Sequence, residues 1–198
     1  MGVIEMKRVL TIWKAGSLKI EDKNFLREKA KEVPIPLGGR DKEDVEVLVS
    51  SFLRRYDALG LAAPQIGIGK RIIVFRMRGF RNIEDYPIIE NYEVLINPVI
   101  TTRGGEEISA WEGCLSCPEI QAEKRRSEEI KVTAFNRNNK MVSRKYKGIV
   151  ARIVQHEIDH LDGVLIIDGG VRLQIPPGKH LLFERLLKSC QLPDSIIS

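Results

Sequence analysis

The stretch Gly148-Ile149-Val150-Ala151-Arg152-Ile153-Val154-Gln155-His156-Glu157-Ile158-Asp159-His160-Leu161 decides how the rest of the chain is read. It has no internal proline or glycine, its apolar residues recur at helical spacing, and Gly163 follows where a helix end commonly turns left-handed. The spacing predicts a helix over 148–161. Within it His156 and His160 stand at i and i+4, on one face and one turn apart, so both imidazoles can reach one ion. Ile149 and Ile153 continue that stripe toward the N-terminus and predict that it faces the core. Neutral imidazole is a common zinc or iron ligand, and Glu157, about 100° around the helix, can reach a water held at such an ion. The competing reading is an amphipathic helix with two partly buried histidines and a chance five-residue match.

Outward from this helix, apolar residues at Val45, Leu48, Val49, Phe52, Leu53 and Tyr56 predict an amphipathic helix over 41–56, with Asp41 as its N-cap. It runs into Gly60-Leu61-Ala62-Ala63-Pro64-Gln65-Ile66-Gly67, where glycine and proline end the helix and let backbone approach something closely. Strand-like runs are expected over 71–76, 94–100, 129–136 and 141–146. The last two are joined through Arg137-Asn138-Asn139-Lys140 as a hairpin, and a further short strand is expected over 164–167. Pro176-Pro177-Gly178 breaks the chain before a short helix over 179–190 with Leu182, Leu186 and Leu187 on its stripe, blurred by Leu181 and Phe183.

Helices and strands come in blocks, which predicts an α+β fold: antiparallel or mixed β-sheets around a central HExxH helix, with an N-terminal amphipathic helix and a short C-terminal one. A length of 198 residues with 43% hydrophobic content suits a single domain over 1–198.

Composition excludes several classes of function. Thirty-two basic against 27 acidic residues give a net +5, but the basic residues are dispersed, so no specific nucleic-acid reader is expected. The first ten residues mix Glu5, Lys7 and Arg8 with apolar ones, and no run approaches the roughly 20 apolar residues that span a bilayer. Three cysteines, two of them close together, do not make a disulfide framework. The expectation is a cytoplasmic protein with no membrane partner.

A catalytic metal site needs a third protein ligand and an open position. His180, the remaining histidine, follows the Pro-Pro-Gly break and is expected at the surface; the other soft donors are Cys114 and Cys117 in Glu112-Gly113-Cys114-Leu115-Ser116-Cys117-Pro118. Gly60-Leu61-Ala62-Ala63-Pro64-Gln65, Glu112-Gly113-Cys114-Leu115-Ser116 and Gln155-His156-Glu157-Ile158-Asp159-His160-Leu161 together resemble the three signature motifs of the peptide deformylase family, in the family's order, over roughly residues 24–168. The chain departs from the family pattern in three places. Ala58-Leu59-Gly60 lacks the first of two usual glycines, an N-terminal Pro-Asp-Pro-type segment is missing, and Cys117 replaces a residue usually aliphatic or aromatic.

The resemblance implies that Cys114, His156 and His160 bind one divalent ion, Fe(II) in the cell, with Zn(II), Ni(II) or Co(II) as substitutes. It implies that Glu157 is the general acid/base, and that the Gln65 amide and the Leu115 N–H stabilise the oxyanion formed when N-formyl-methionyl nascent peptides lose formate. Gly60 would lie along the peptide backbone, and Leu59, Leu115, Ile149 and Ile153 would line the methionine pocket. Glu112, Arg126, Gln155 and Asp159 are expected to support the ligands.

Such a substrate places the protein near translating ribosomes. The basic 179–188 segment would allow a transient ribosome contact, although a solvated terminal helix is the plainer reading. The oligomeric state is left open. Two other functions compete: a zinc-dependent peptidase, whose third ligand lies downstream of HExxH, and a non-enzymatic structural zinc module using Cys114, Cys117, His156 and His160.

Overall fold

The computed structural model describes residues 7–78, 91–169 and 172–190; the first six residues of the charged N-terminal segment lie outside the described residues. In chain order the elements are β1 (Trp13–Lys14), β2 (Ser17–Leu18), α1 (Ile20–Leu26), α2 (Gly39–Leu53), β3 (Gly60–Ala62), a 3₁₀ turn (Ala63–Ile66) and β4 (Ile72–Arg76). Then come β5 (Tyr92–Cys114), β6 (Cys117–Phe135), β7 (Met141–Lys147), α3 (Gly148–Leu161), β8 (Leu173–Gln174) and α4 (His180–Ser189). One sheet runs β3-β4-β5-β6-β7, with β8 added to β6, and β1 and β2 form a separate hairpin. Every pairing between these strands is antiparallel, so the mixed alternative is not used.

β4 explains the layering. Its five residues are all buried, and because side chains alternate across a sheet, Ile72 and Val74 pack on one side while Ile73 and Phe75 pack on the other. Val45, Leu48, Val49 and Phe52 of α2 cover the first side together with Leu61 and Ile96. Ala151, Val154, Ile158 and Leu161 of α3 cover the second, against Val132 and Ala134 of β6. Each of the valine, leucine, isoleucine and phenylalanine side chains among them contributes about 1.5–3 kcal/mol on leaving water, which is why these two helices hold the sheet between them. A third cluster joins Ile12, Trp13, Ile120 and Ala122 to Phe183, Leu186 and Leu187 of α4.

The ends of α2 depart from the sequence expectation in instructive ways. α2 starts two residues before Asp41, which is not the N-cap. Gly38 caps the helix, and the Asp41 carboxylate accepts the Gly38 N–H at 3.2 Å. At the far end Tyr56 lies outside the helix and is exposed. α3 ends at Leu161, as expected, with Asp162 as its C-cap and Gly163 beyond at φ +74°, where a Cβ would lie 2.3 Å from the Arg27 carbonyl oxygen. Here glycine is required by both conformation and space.

The expected strand over 164–167 is not formed. Leu165, Ile166 and Ile167 are buried in the third cluster, but as a turn whose Leu165 N–H is held by the Asp168 carboxylate at 2.8 Å. A short apolar run reports burial rather than strand geometry.

The largest difference is the length of β5 and β6. They extend far past the expected 94–100 and 129–136 runs, pairing Glu107 to Ser127 and on to Cys114 opposite Cys117, with register shifts along the way. This outer part is mostly exposed on β5, so pairing with β6 rather than an apolar face keeps it extended. The ribbon brings Cys114 back beside α3.

Candidate active site

α3 sets His156 and His160 one turn apart, with ring centroids 5.1 Å apart, and the end of β5 sets the Cys114 sulfur 3.2 Å from His160 Nε2. Ligand atoms of Cys114, His156 and His160 all lie within 4.8 Å of one another, a group that could hold a metal ion. Cys117 does not join them, which counts against a four-ligand structural zinc site. His180 is exposed on the first turn of α4.

A carboxylate orients the first imidazole. Glu112 accepts from His156 Nδ1 at 3.0 Å, from Arg126 twice at 2.9 Å and from Arg152 at 2.7 Å, and Arg126 donates to Asp159 at 2.6 Å. With Nδ1 as the donor, His156 turns Nε2 toward the donor group. Burial would raise the Glu112 pKa, but the hydrogen bonds from His156 and Arg126 hold it well below the ordinary carboxylate range. His156 is pushed above its ordinary value because its contacts with Cys114 and Glu112 outweigh burial. The Cys114 thiol is drawn well below its usual range, first by the hydrogen bond from Cys117 and further by the two imidazoles.

Glu157 sits apart from this network. It is buried, its Oε2 has no hydrogen-bond partner among the described residues, and burial pushes its carboxyl up to about 7. A carboxylate left unsatisfied in the interior is costly unless something further is meant to meet it. Gly60 makes room for it, since a Cβ there would lie 2.4 Å from Glu157 Oε1 and 2.8 Å from its Cδ. Gln65 is also buried, and its orientation is fixed because its Oε1 accepts the Ala62 N–H at 2.9 Å. That turns Nε2 toward Ser116 Oγ at 3.3 Å and the Cys114 sulfur at 3.8 Å.

Leu59, Gly60, Gln65, Leu115, Ile149 and Ile153 all border one cleft of about 680 Å³ whose wall includes Cys114, His156 and Glu157. Ile153 is buried, but Ile149 is 43% exposed, so the stripe expected to face the core surfaces at the cleft rim over the first turn of α3. Gln155 supports the site differently from expectation. It exchanges hydrogen bonds with the Ser127 backbone at 2.9 and 3.3 Å and accepts from Arg103, tying α3 to β6 rather than touching a ligand.

Sequence reasoning missed Arg152 and Ser116. Arg152 stands one turn before His156 on the same face, a spacing that could have pointed to it; Ser116 only adjoins a ligand in sequence.

A family model described as polypeptide deformylase matches residues 17–174. The chain is 40% identical over 151 residues to the peptide deformylase of Thermodesulfovibrio yellowstonii, spanning 74% of this chain and 83% of that one. It is 39% identical over 162 residues to the peptide deformylase of Thermotoga maritima, spanning 82% and 88%. The crystal structure of peptide deformylase from Thermotoga maritima superposes with a TM-score of 0.66 at 36% identity, covering 87% of this chain and 99% of that one. A Met-Ala-Ser-bound class I type b peptide deformylase from Acinetobacter baumannii superposes with a TM-score of 0.70 at 29% identity, covering 84% and 99%. With the family match spanning most of the sequence and a Cys/His/His group able to hold an ion beside a buried glutamate, the chain belongs to the peptide deformylase family, metal-dependent enzymes that remove the formyl group from N-terminal methionine.

Proposed function

We propose that Cys114, His156 and His160 hold the divalent ion, that Glu157 is the general acid/base, and that the cleft takes an N-formyl-methionyl peptide with its formyl group beside them. The observation that carries this reading is Glu157 Oε2, without a partner among the described residues and buried beside three converging soft donors. A thiolate with two imidazoles is a borderline-soft set that suits Fe(II), the ion assigned here in the cell, and accepts Zn(II), Ni(II) or Co(II). A divalent ion in this position supplies Lewis acidity, lowering the pKa of a coordinated water and polarising a carbonyl.

The chain's own residues account for the rest. Glu157 takes the proton of the attacking water and delivers it to the leaving amine as formate departs. The Gln65 amide, already turned toward Cys114, and the Leu115 N–H donate to the oxyanion that develops on the formyl oxygen. β3 is the terminal strand of the sheet, so its edge at Gly60 can pair with the backbone of an extended peptide. Leu59, Leu115, Ile149 and Ile153 border the space for the methionine side chain. The superposable Acinetobacter baumannii enzyme with Met-Ala-Ser bound supports a methionyl peptide here.

Formate release from formyl-Met-Ala, lost with a chelator and restored by Fe(II), is the expected result, with acetyl-Met-Ala inert. Cleavage of an internal peptide bond without formate would favour the zinc-peptidase alternative. Glu157→Gln should keep its metal and lose about 10²–10⁴-fold in rate.

We take residues 1–198 as one catalytic domain acting in the cytoplasm on nascent chains. Among the described residues no helix is long and apolar enough to cross a membrane. The exposed Arg185 of α4 offers a basic point for a transient ribosome contact. Phe183 and Leu187 of that helix are buried, so deleting it would damage the fold. Arg185→Glu with ribosome co-sedimentation is the cleaner test, and unchanged sedimentation discards the contact.

A further inference from the structure

Cys117 is not one of the three converging donors, yet its position is specific. It is fully buried among Ile12, Trp13 and Ile120, and Cys114 packs against the same cluster. The two cysteines flank the two-residue turn Leu115-Ser116 and face each other as paired residues of β5 and β6. Residues paired across antiparallel strands have Cα atoms about 4.5–5.5 Å apart, inside the range of about 4.4–6.8 Å that a disulfide spans. Only Cys114 borders the cleft, so an oxidant arriving from solvent meets it first, with Cys117 directly behind.

We propose that Cys117 is a resolving thiol, and that a hydroperoxide converts Cys114 and Cys117 into an intramolecular disulfide. The Cys114 thiolate attacks one peroxide oxygen, the O–O bond breaks, and an alcohol or water leaves after taking a proton, giving a sulfenic acid on Cys114. The Cys117 sulfur then attacks the Cys114 sulfur, the S–O bond breaks, and hydroxide leaves with the Cys117 proton as water. Two thiols are oxidised and one peroxide is reduced. The disulfide removes the thiolate donor, so the site releases its ion, and it stops Cys114 from passing on to the irreversible sulfinic and sulfonic acids. A dithiol restores both thiols.

Only the loss of the ion rests on the ligand assignment made above; the sulfur chemistry is read independently by mass. The experiment treats metal-loaded protein with hydrogen peroxide, then measures intact mass, peptide cross-links, metal content and recovery with a dithiol plus metal. The expected product is lighter by two hydrogens, cross-linked between residues 114 and 117, depleted of metal, and restored by the dithiol. Cys117→Ser keeps a hydrogen-bond donor beside Cys114 and should keep metal content and turnover before oxidation; both it and Cys117→Val should gain two or three oxygens at Cys114 that the dithiol does not remove. Three outcomes overturn the proposal: sulfinic or sulfonic acid at Cys114 of the unaltered protein with Cys117 still free, a cross-link to Cys190 instead, or equal dithiol recovery in the Cys117 variants. A disulfide that forms while the metal stays bound would instead overturn the ligand role of Cys114.

Discussion

Gly60→Ala isolates the geometry of the general base from its chemistry. Gly60 does not have a left-handed φ, so alanine brings no backbone strain, and the cost is spatial. The new methyl would lie 2.4 Å from Glu157 Oε1 and 2.8 Å from both Cδ and Cγ. Ordinary contacts between carbon atoms are about 3.5–4.0 Å, so the carboxylate must retreat by roughly 1 Å. A displacement of that size at a reacting group costs about 10²-fold in rate. The three atoms nearest the new methyl all belong to Glu157 and none to a donor residue, so metal content should be unchanged.

The assay is steady-state deformylation of formyl-Met-Ala, with kcat and KM resolved and metal measured on the same sample. kcat should fall about 10²-fold while KM moves little. If kcat stays within about twofold of the parent while KM alone rises, Gly60 serves only the peptide backbone, and the idea that it makes room for Glu157 is refuted.

Three further outcomes follow from other contacts. Glu112→Gln leaves Arg126 and Arg152 short of a buried anion, so it should destabilise the fold by about 3–5 kcal/mol and weaken metal binding about 10–100-fold; chemical denaturation and metal titration read these separately. Lys70 donates to Asp41 at 2.7 Å and Asp44 at 2.6 Å, and this hydrogen bond lowers the Asp41 pKa despite opposing burial. A depressed carboxylate stabilises above its unfolded pKa and loses that contribution as pH falls through the folded one, so the destabilisation by Lys70→Met, on the order of 1 kcal/mol at neutral pH, should shrink below about pH 4 in melts across a pH series. Phe183→Ala, in edge-on contact with Trp13, should cost about 3–5 kcal/mol, whereas the exposed Leu181→Ala should stay within about 0.5 kcal/mol in the same urea titration.

The parts of the fold legible in the sequence are those where one face is buried continuously. α3 and the core-facing side of α2 show this through residues such as Val45, Leu48, Val154 and Leu161. The outer ribbon of β5 and β6 is hard to read because its order comes from a partner strand, and residues such as Thr102, Glu107 and Ser109 give no apolar alternation. Leu165-Ile166-Ile167 misled for the opposite reason, since three buried apolar residues look the same whether strand or turn buries them.

In the candidate site, i/i+4 spacing by itself places His156 and His160 side by side, whereas Cys114 reaches them only by long-range strand pairing and is singled out in the sequence by its motif. Arg152 and Ser116 act through partners distant in sequence, Glu112 and Gln65, which periodicity does not encode.

The Glu112 cluster also bears on the electric field at the ligands. Glu112 and Asp159 supply two negative charges, and Arg126 and Arg152 supply two positive ones, all joined by direct hydrogen bonds. Such a quartet is neutral as a whole and its field fades quickly with distance, so beyond the direct contact of Glu112 with His156, which orients the ring and favours its positive form, it adds little at the other two side chains. If Cys114, His156 and His160 hold the ion as proposed, the affinity order among rival ions is left mainly to the sulfur and the two imidazoles, and an ion exchange need not disturb the charge pattern behind them.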